Sequence, residues 1–356
     1  MKKKSICFFT GSRSEYNMIK NLYLKFKKDK TFQVNLIISG SHLSKKFGET
    51  INLIKKDKIN SKYIIKINEE FNNTKDISRS FSKLLNTSEI FLKKLKPDIL
   101  FLLGDRYETF SMAVSSLFLN IPVAHVHGGE VTEGSFDDNL RHATTKLSHI
   151  HFVANQQFRK RVIQLGENPK NVFEVGGLGV DNILNTNLLK KKELIQKFNL
   201  KENFFLITYH PSTLISSKIN NIEFQNLLKI LKNYKDYSLI FTYPSSDIGN
   251  KKLIKIMEQF KIKNNNVRIF KSLGDKKYLS IMKYCKLVIG NSSSGLAEAP
   301  SFNVPTINVG DRQKGRMCAK SVINTRGIEK DIRKAISKGL SKKFKKSLSK
   351  NVNPYG

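Results

Sequence analysis

The chain has few cysteines: Cys7, Cys285 and Cys318 among 356 residues. Their separation fits neither a disulfide framework nor a zinc module, and such usage suits a reducing compartment. Cys7 and Cys285 sit in apolar segments and read as buried thiols. Long apolar runs are also missing, so no stretch is suited to span a bilayer. The start, Met1-Lys2-Lys3-Lys4, imitates a signal-peptide n-region, but the apolar run behind it, 6–9, ends at Thr10-Gly11 and is too short for an h-region. A cytoplasmic protein with no membrane partner is expected. The Gly-Lys-[Ser/Thr] ending of a P-loop is absent, which excludes that mode of nucleotide binding.

Acidic residues are scarce, 29 Asp and Glu against 63 Lys and Arg, for a net charge of +34. A polyanionic partner is one reading of such an excess. The lysines, however, are spread along the chain among many Asn and Ile residues, as compositional drift in an AT-rich genome would leave them. A nucleic-acid footprint would cluster on one element with aromatic partners. No nucleic-acid partner is therefore expected, and the densest runs, 25–30 and 342–350, read as solvated helix faces or a loose tail.

A hydrophobic content of 39% supports a buried core, and 356 residues exceed what one core normally serves, so two domains are expected. Short apolar runs at 6–9, 34–38, 99–103, 123–126, 151–153 and 172–175 alternate with helix-periodic segments at 15–26, 81–95, 109–117 and 156–165. After Gly176-Gly177-Leu178-Gly179 the alternation resumes, with strands at 204–208, 239–242, 267–270, 287–289 and 306–309 and helices at 222–231, 252–260 and 278–284. This is α/β patterning: two doubly wound parallel sheets, each binding ligands at its strand C-terminal ends, with the ligand expected in the cleft between the halves.

The densest chemistry runs from Gly104 to His142. It holds Gly104-Asp105-Arg106-Tyr107-Glu108, then His125-Val126-His127-Gly128-Gly129-Glu130, then Asp137-Asp138-Asn139-Leu140-Arg141-His142. Asp105, Glu130, Asp137 and Asp138 are acid/base candidates, since neighbouring carboxylates in a cleft separate into an acid and a base. Asp137 and Asp138 could instead cap a helix starting near Asn139. Arg106 and Arg141 are long enough to hold carboxylates or a phosphate. The spacing of His125, His127, His142, His149 and His151 fits no known metal pattern, and no metal is expected.

Other loops fall at strand ends. In Thr10-Gly11-Ser12-Arg13-Ser14-Glu15-Tyr16, Gly11 permits a tight turn, Ser14 could cap the next helix, and Arg13 could meet a phosphate; an ordinary βα loop explains the same residues. Gly290-Asn291-Ser292-Ser293-Ser294-Gly295 precedes a helix expected at 296–299 and reads either as an anion site or as a serine-rich turn. Glu298 could bond ribose hydroxyls or face solvent. His210, before Pro211, is either a phosphate ligand or acid, or a loop histidine.

Together these motifs resemble the UDP-N-acetylglucosamine 2-epimerase family, and within it the hydrolysing branch that serves sialic acid and legionaminic acid synthesis. The carriers are GSRSEY (11–16), LLGDRYE (102–108), HVHGGE (125–130), DDNLRHATTKLSH (137–149), RVIQLGE (161–167), YHPSTL (209–214), GNSSSGLAEAP (290–300) and GDRQKGR (310–316), in family order over nearly the whole chain.

The resemblance implies a GT-B fold, two Rossmann-like domains over 1–177 and 178–345, the first on the sugar and acid/base side and the second on the UDP side. It implies that UDP-N-acetylglucosamine and water become N-acetylmannosamine and UDP, through elimination to 2-acetamidoglucal and rehydration. Neither a metal nor another cofactor is implied, and a homodimer or homotetramer is. Asp105, Asp137 and Asp138 fall on family acid/base positions and His210 on the histidine near the diphosphate. Arg13, Ser292 and Ser293, with Gly11, Ser294, Arg106, His127 and Arg141 beside them, fall on the substrate-binding segments. Glu298 matches the ribose-holding residue, and Arg312 lies in the GDRQ loop. The same branch includes enzymes acting on UDP-2,4-diacetamido-2,4,6-trideoxyhexoses, and a GT-B glycosyltransferase is a further alternative.

Two departures stand out. Where some relatives carry a glutamate, this chain has His127; either Glu130, the one carboxylate of that turn, takes its role or His127 does, and Glu130 is favoured. Residues 346–356 are expected as a tail, with the family's final helix, which crosses back to the first domain, missing after Asn353-Pro354-Tyr355-Gly356.

Overall fold

Runs of Ile, Val, Leu and Phe too short for helices form the strands, and amphipathic segments between them cover both faces of each sheet. The computed structural model describes residues 3–67, 71, 73–245 and 247–356, so Met1 and Lys2 of the lysine-rich start lie outside it. Two compact units result: Met1–Glu130 with Phe136–Asn182 and Gly356, and Val131–Ser135 with Ile183–Tyr355.

The first unit runs β1 (Lys4–Thr10), α1 (Arg13–Lys28), β2 (Phe32–Ile38), α2 (Ile51–Lys56), β3 (Tyr63–Ile64), α3 (Thr74–Leu95), β4 (Ile99–Leu103), α4 (Tyr107–Phe118), β5 (Val123–Val126), α5 (Asp137–Lys146), β6 (Ile150–Val153), α6 (Gln156–Gln164), β7 (Val172–Glu174) and α7 (Leu178–Asn185). Its parallel sheet is ordered β3-β2-β1-β4-β5-β6-β7. The order reverses between β1 and β4, where helices leave on opposite faces and open a crevice above the strand ends. Phe8, Tyr23, Leu36, Ile38 and Ile54 centre its core, and Phe8 stacks on Phe101 at 4.9 Å between ring centroids.

The second unit runs α8 (Lys191–Phe198), β8 (Phe204–Thr208), α9 (Ser217–Leu231), β9 (Ser238–Thr242), α10 (Asn250–Ile262), β10 (Val267–Phe270), α11 (Asp275–Tyr284), β11 (Leu287–Gly290), α12 (Ser294–Ala297), β12 (Thr306–Val309), β13 (Val322–Thr325), α13 (Glu329–Leu340) and α14 (Lys342–Ser347). Its parallel sheet, β10-β9-β8-β11-β12-β13, reverses order between β8 and β11. Val131–Ser135 belongs to this unit: the Glu133 amide donates to the Lys314 carbonyl at 2.9 Å, and Arg316 Nε donates to Thr132 Oγ1 at 3.0 Å.

Several local expectations change. The α1 cap is Ser12, not Ser14: its side chain accepts from the Glu15 amide while Glu15 reaches back, a reciprocal capping box. Helix α5 begins at Asp137, so Asp137 and Asp138 form its first turn and do not cap it; Phe136 holds the cap position. The expected helix at 296–299 is α12 four residues long, starting two residues earlier. The lysine-rich end is no loose tail. Lys342–Ser347 is helical, Leu348 and Tyr355 are buried, and Asn353 Nδ2 donates to the Ala297 carbonyl at 2.7 Å. Among the described residues, no helix is long and apolar enough to cross a membrane.

Candidate functional site

Strand order brings two loops of the first unit together at the β1/β4 reversal: Gly11-Ser12 after β1 and Gly104-Asp105-Arg106 after β4. Arg13 is the first residue of α1, and Arg106 holds the cap position of α4. Gly11 needs no special backbone angle. The tight approach belongs to Gly40, where a Cβ would lie 2.2 Å from the Gly11 carbonyl oxygen.

The turn after β5 lies beside β4 and carries His127 and Glu130. It requires glycine at position 129. His127 and Gly129 take left-handed angles, φ +66° and +77°, and a Cβ on Gly129 would sit 2.5 Å from the Phe158 carbonyl oxygen. This geometry folds Glu130 back so that its Oε1 lies 2.7 Å from His127 Nδ1. The Leu178 amide donates to His127 Nε2 at 3.2 Å. Nε2 is therefore an acceptor, and in the neutral ring the proton sits on Nδ1 and is given to the Glu130 carboxylate.

Arg141, on α5, joins the parts. It is 1% exposed. Its Nη1 donates to the Glu130 carbonyl at 2.9 Å and to Asp138 Oδ1 at 3.2 Å, and its Nη2 pairs with Asp105 Oδ2. One planar guanidinium thus holds two carboxylates and the backbone of the turn that bears a third. Asp138 Oδ2 also stands 3.6 Å from His142 Nε2. Burial lowers the His142 pKa and Asp138 opposes the shift. Beneath them His125 is fully buried, with Nε2 donating to the Gly104 carbonyl at 2.8 Å; desolvation lowers its pKa to about 4 and keeps it neutral.

The structure therefore gathers Asp105, Glu130, His127, Asp138 and Arg141, with Asp137 next to them at the start of α5. It places Gly11, Arg13 and Arg106 at the neighbouring loop pair. His149 and His151 are packed elsewhere: His149 Nδ1 accepts from the Val123 amide, and His151 Nε2 lies 3.1 Å from Glu167. Among the described residues no cluster of three or more His, Cys, Asp or Glu is arranged for a metal ion.

In the second unit the β8/β11 reversal brings His210 to the serine loop. Asn291 is the hub. Its Oδ1 accepts from the His210 amide at 2.7 Å, and its Nδ2 donates to the His210 carbonyl at 2.9 Å. Its carbonyl accepts from Arg312 Nη1 at 3.2 Å and Gln313 Nε2 at 2.9 Å. Gly290, φ +132°, lets this happen: a Cβ there would fall 2.0 Å from the Thr208 carbonyl oxygen. The Ser245 amide donates to His210 Nδ1 at 2.9 Å, which in the neutral ring puts the proton on Nε2. Ser294 Oγ is 2.6 Å from the Tyr278 hydroxyl and 3.1 Å from Ser292 Oγ. Ser293 precedes α12, and half-buried Glu298 follows it. Two loop ends rich in hydroxyls, an imidazole and a guanidinium suit the binding of an anion.

The chain matches the family model described as UDP-N-acetylglucosamine 2-epimerase over residues 24–356. It belongs to the UDP-N-acetylglucosamine 2-epimerase family. It is 40% identical over 331 residues to the GDP/UDP-N,N'-diacetylbacillosamine 2-epimerase (hydrolyzing) of Campylobacter jejuni, covering 91% of this chain and 85% of the relative. It is 36% identical to the polysialic acid biosynthesis protein P7 of Escherichia coli, covering 99% and 90%. Its fold is similar to the Methanocaldococcus jannaschii UDP-GlcNAc 2-epimerase solved with UDP-GlcNAc and UDP, at TM-score 0.81 and 21% identity, covering 99% of this chain and 96% of that one. The two Rossmann-like units are those of a GT-B fold.

Some site-forming residues escaped the sequence reading. Glu15, Glu108, Asn291 and Gln313 all lie in the quoted motifs but received no role. For Glu15 a signal was present: Ser12-x-x-Glu15 is the capping-box pattern. For the others nothing in spacing alone marks a buried bond.

Proposed function

We propose that this family member is a hydrolysing 2-epimerase of UDP-linked 2-acetamido sugars. The single observation that carries the reading is the Arg141 guanidinium joined to Asp105, Asp138 and the Glu130 carbonyl. Removing the proton at carbon 2 and expelling UDP from carbon 1 needs at least one base and one acid held rigidly on one substrate. Glu130 is the base we favour in the His127 turn, because the Nδ1–H of His127 points at its carboxylate and leaves His127 an orienting partner. Asp105, Asp138 and Asp137 supply the remaining proton transfers of elimination and rehydration. His210, Arg312, Ser292, Ser293 and Ser294 take the diphosphate, and Glu298 the ribose. Gly11, Arg13 and Arg106 complete the substrate contacts.

Two sugars fit this chemistry. UDP-N-acetylglucosamine would give N-acetylmannosamine, and a UDP-2,4-diacetamido-2,4,6-trideoxyhexose would give the corresponding 2-epimer. The name of the 40%-identical relative favours the second, and that of the 36%-identical relative favours a sialic acid precursor. The test is incubation with each sugar nucleotide in heavy water. The expected products are UDP and a free 2-epimerised sugar bearing deuterium at carbon 2. Transfer of an intact, undeuterated sugar to an acceptor would instead support a glycosyltransferase.

A further inference from the structure

Two carboxylates lie beneath the loops at the β1/β4 reversal, on elements that enter the sheet from opposite sides. Glu15, on α1, is 6% exposed, and Glu108, on α4, is fully buried. Glu15 Oε2 accepts from the Gly11 amide at 2.6 Å and the Ser12 amide at 3.1 Å, the two residues immediately before Arg13. Glu108 Oε2 accepts from Arg106 Nε at 3.1 Å, and its Oε1 accepts from Nη2 at 3.0 Å, a forked pair that fixes the plane of the guanidinium next to Asp105. The two side chains converge on Gly11: a Cβ built there would lie 3.4 Å from Glu108 Cβ and 3.5 Å from Glu15 Oε2. Buried His42 supports the same loop from below, with Nε2 3.0 Å from Thr10 Oγ1 and Nδ1 2.9 Å from Thr50 Oγ1.

The Arg106 guanidinium is forked on Glu108 and also acts on Glu15, and burying charge is costly. Desolvation first, and Glu108 second, push Glu15 up to about 7, against the opposing pull of Arg106 and of the Gly11 and Ser12 amides. A proton on Glu15 relieves the repulsion without breaking any bond described above.

We propose that Glu15 and Glu108 act as one positioning pair, Glu15 holding the Gly11-Ser12 amides ahead of Arg13 and Glu108 holding Arg106 beside Asp105, so that two arginines present a fixed cationic face to a nucleoside-diphosphate sugar. This rests on the proposed function, because it assigns Arg13 and Arg106 to the substrate. Neither glutamate is a catalytic residue.

The test follows the glutamate carboxyls by carbon-13 NMR in the full chain and measures UDP release kinetics beside it. In the wild type the Glu15 carboxyl titrates above the ordinary carboxylate range, and in Glu108→Gln it falls by about one pKa unit or more. In Glu15→Ala, which removes the acceptor of the Gly11 and Ser12 amides, KM for the sugar nucleotide rises by about ten-fold or more while kcat changes by less than about three-fold, the mark of lost ground-state binding. A Glu15 carboxyl that titrates ordinarily, or that Glu108→Gln leaves unmoved, overturns the pair. An unchanged KM in a folded Glu15→Ala variant overturns the positioning role. A wild type that releases no UDP from either sugar nucleotide counts against the proposed function, while the carboxyl titration still decides the pair.

Discussion

Arg141 and Asp105 stand 36 positions apart in sequence and form an ion pair, one from α5 and one from the loop after β4. The pair is the link between the two loop ends that hold the acid/base candidates. The arginine is almost wholly buried, whereas Asp105 and Asp138 keep about a fifth of their side-chain surface exposed. Lysine cannot serve three acceptors from one rigid plane. Arg141→Lys is expected to lower kcat by about 100-fold and stability by about 3 kcal/mol, since it leaves buried polar groups unpaired. Product-release assays and denaturant unfolding check the two parts.

Glu130 and His127 make opposite demands on a mutational test. Glu130 is the proposed base, so Glu130→Gln removes proton transfer and is expected to lower kcat by about 100-fold to 10,000-fold. His127→Gln keeps a polar side chain but disturbs a contact seen from both ring nitrogens, to Glu130 and the Leu178 amide. A smaller loss, about ten-fold, is expected, because a positioning bond contributes about 1 kcal/mol. If His127→Gln costs as much as Glu130→Gln, the histidine is itself the reacting group.

Stability should fall on acidification below the ordinary histidine range. His125 and His42 are both buried, and desolvation takes their pKa values down to about 4 and about 3 from 6.5. The unfolded chain binds protons at these positions before the folded one does. Their contribution is therefore fully present above pH 6.5 and is lost as the pH falls toward the folded values. The loss for His125 is on the order of a few kcal/mol. Glu15 works in the other direction: raised to about 7 from 4.5, it favours the fold below pH 4.5, and that contribution is lost as the pH rises through 7. Urea unfolding across pH 4 to 8 should show a shallower acid limb in His125→Gln. An identical limb would mean that His125 titrates normally.

The alternation of apolar runs with helical periods made both sheets legible, and the strands at 99–103, 123–126, 204–208, 267–270 and 306–309 appear with those bounds. The edge strands Tyr63–Ile64 and Val322–Thr325 were not legible. The first is two residues long and the second, Val-Ile-Asn-Thr, is half polar, so neither forms an apolar run. Asp105, Asp138 and Arg141 stood out as candidates, because titratable residues crowded into one segment, 104–142, are conspicuous. Their joining by one guanidinium did not, since it depends on the order in which strands pair. Ser12 shows a subtler limit. Both Ser12 and Ser14 are competent caps by composition, and only the three-residue reach from Ser12 to Glu15 decides between them.

Asn291 offers the sharpest test of the second unit, because its side chain acts on backbone alone. Its amide mimics one rung of a sheet ladder, accepting from the His210 N–H and donating to the His210 carbonyl. Aspartate is nearly the same size and keeps the acceptor, but as a carboxylate it cannot donate. Asn291→Asp would set a negative charge against the His210 carbonyl oxygen, at a position 1% exposed, and next to the loop proposed to hold a diphosphate. The lost bond and the unpaired carbonyl should cost about 1–3 kcal/mol, and repulsion of the ligand adds to that. UDP affinity measured by calorimetry is expected to fall by about 100-fold, with the first unit's histidine titrations unchanged. Asn291→Ala removes the bonds without adding charge, so it should weaken UDP less than Asn291→Asp. If the two variants bind UDP equally well, no phosphate lies near Asn291, and the assignment of the serine loop to the diphosphate fails.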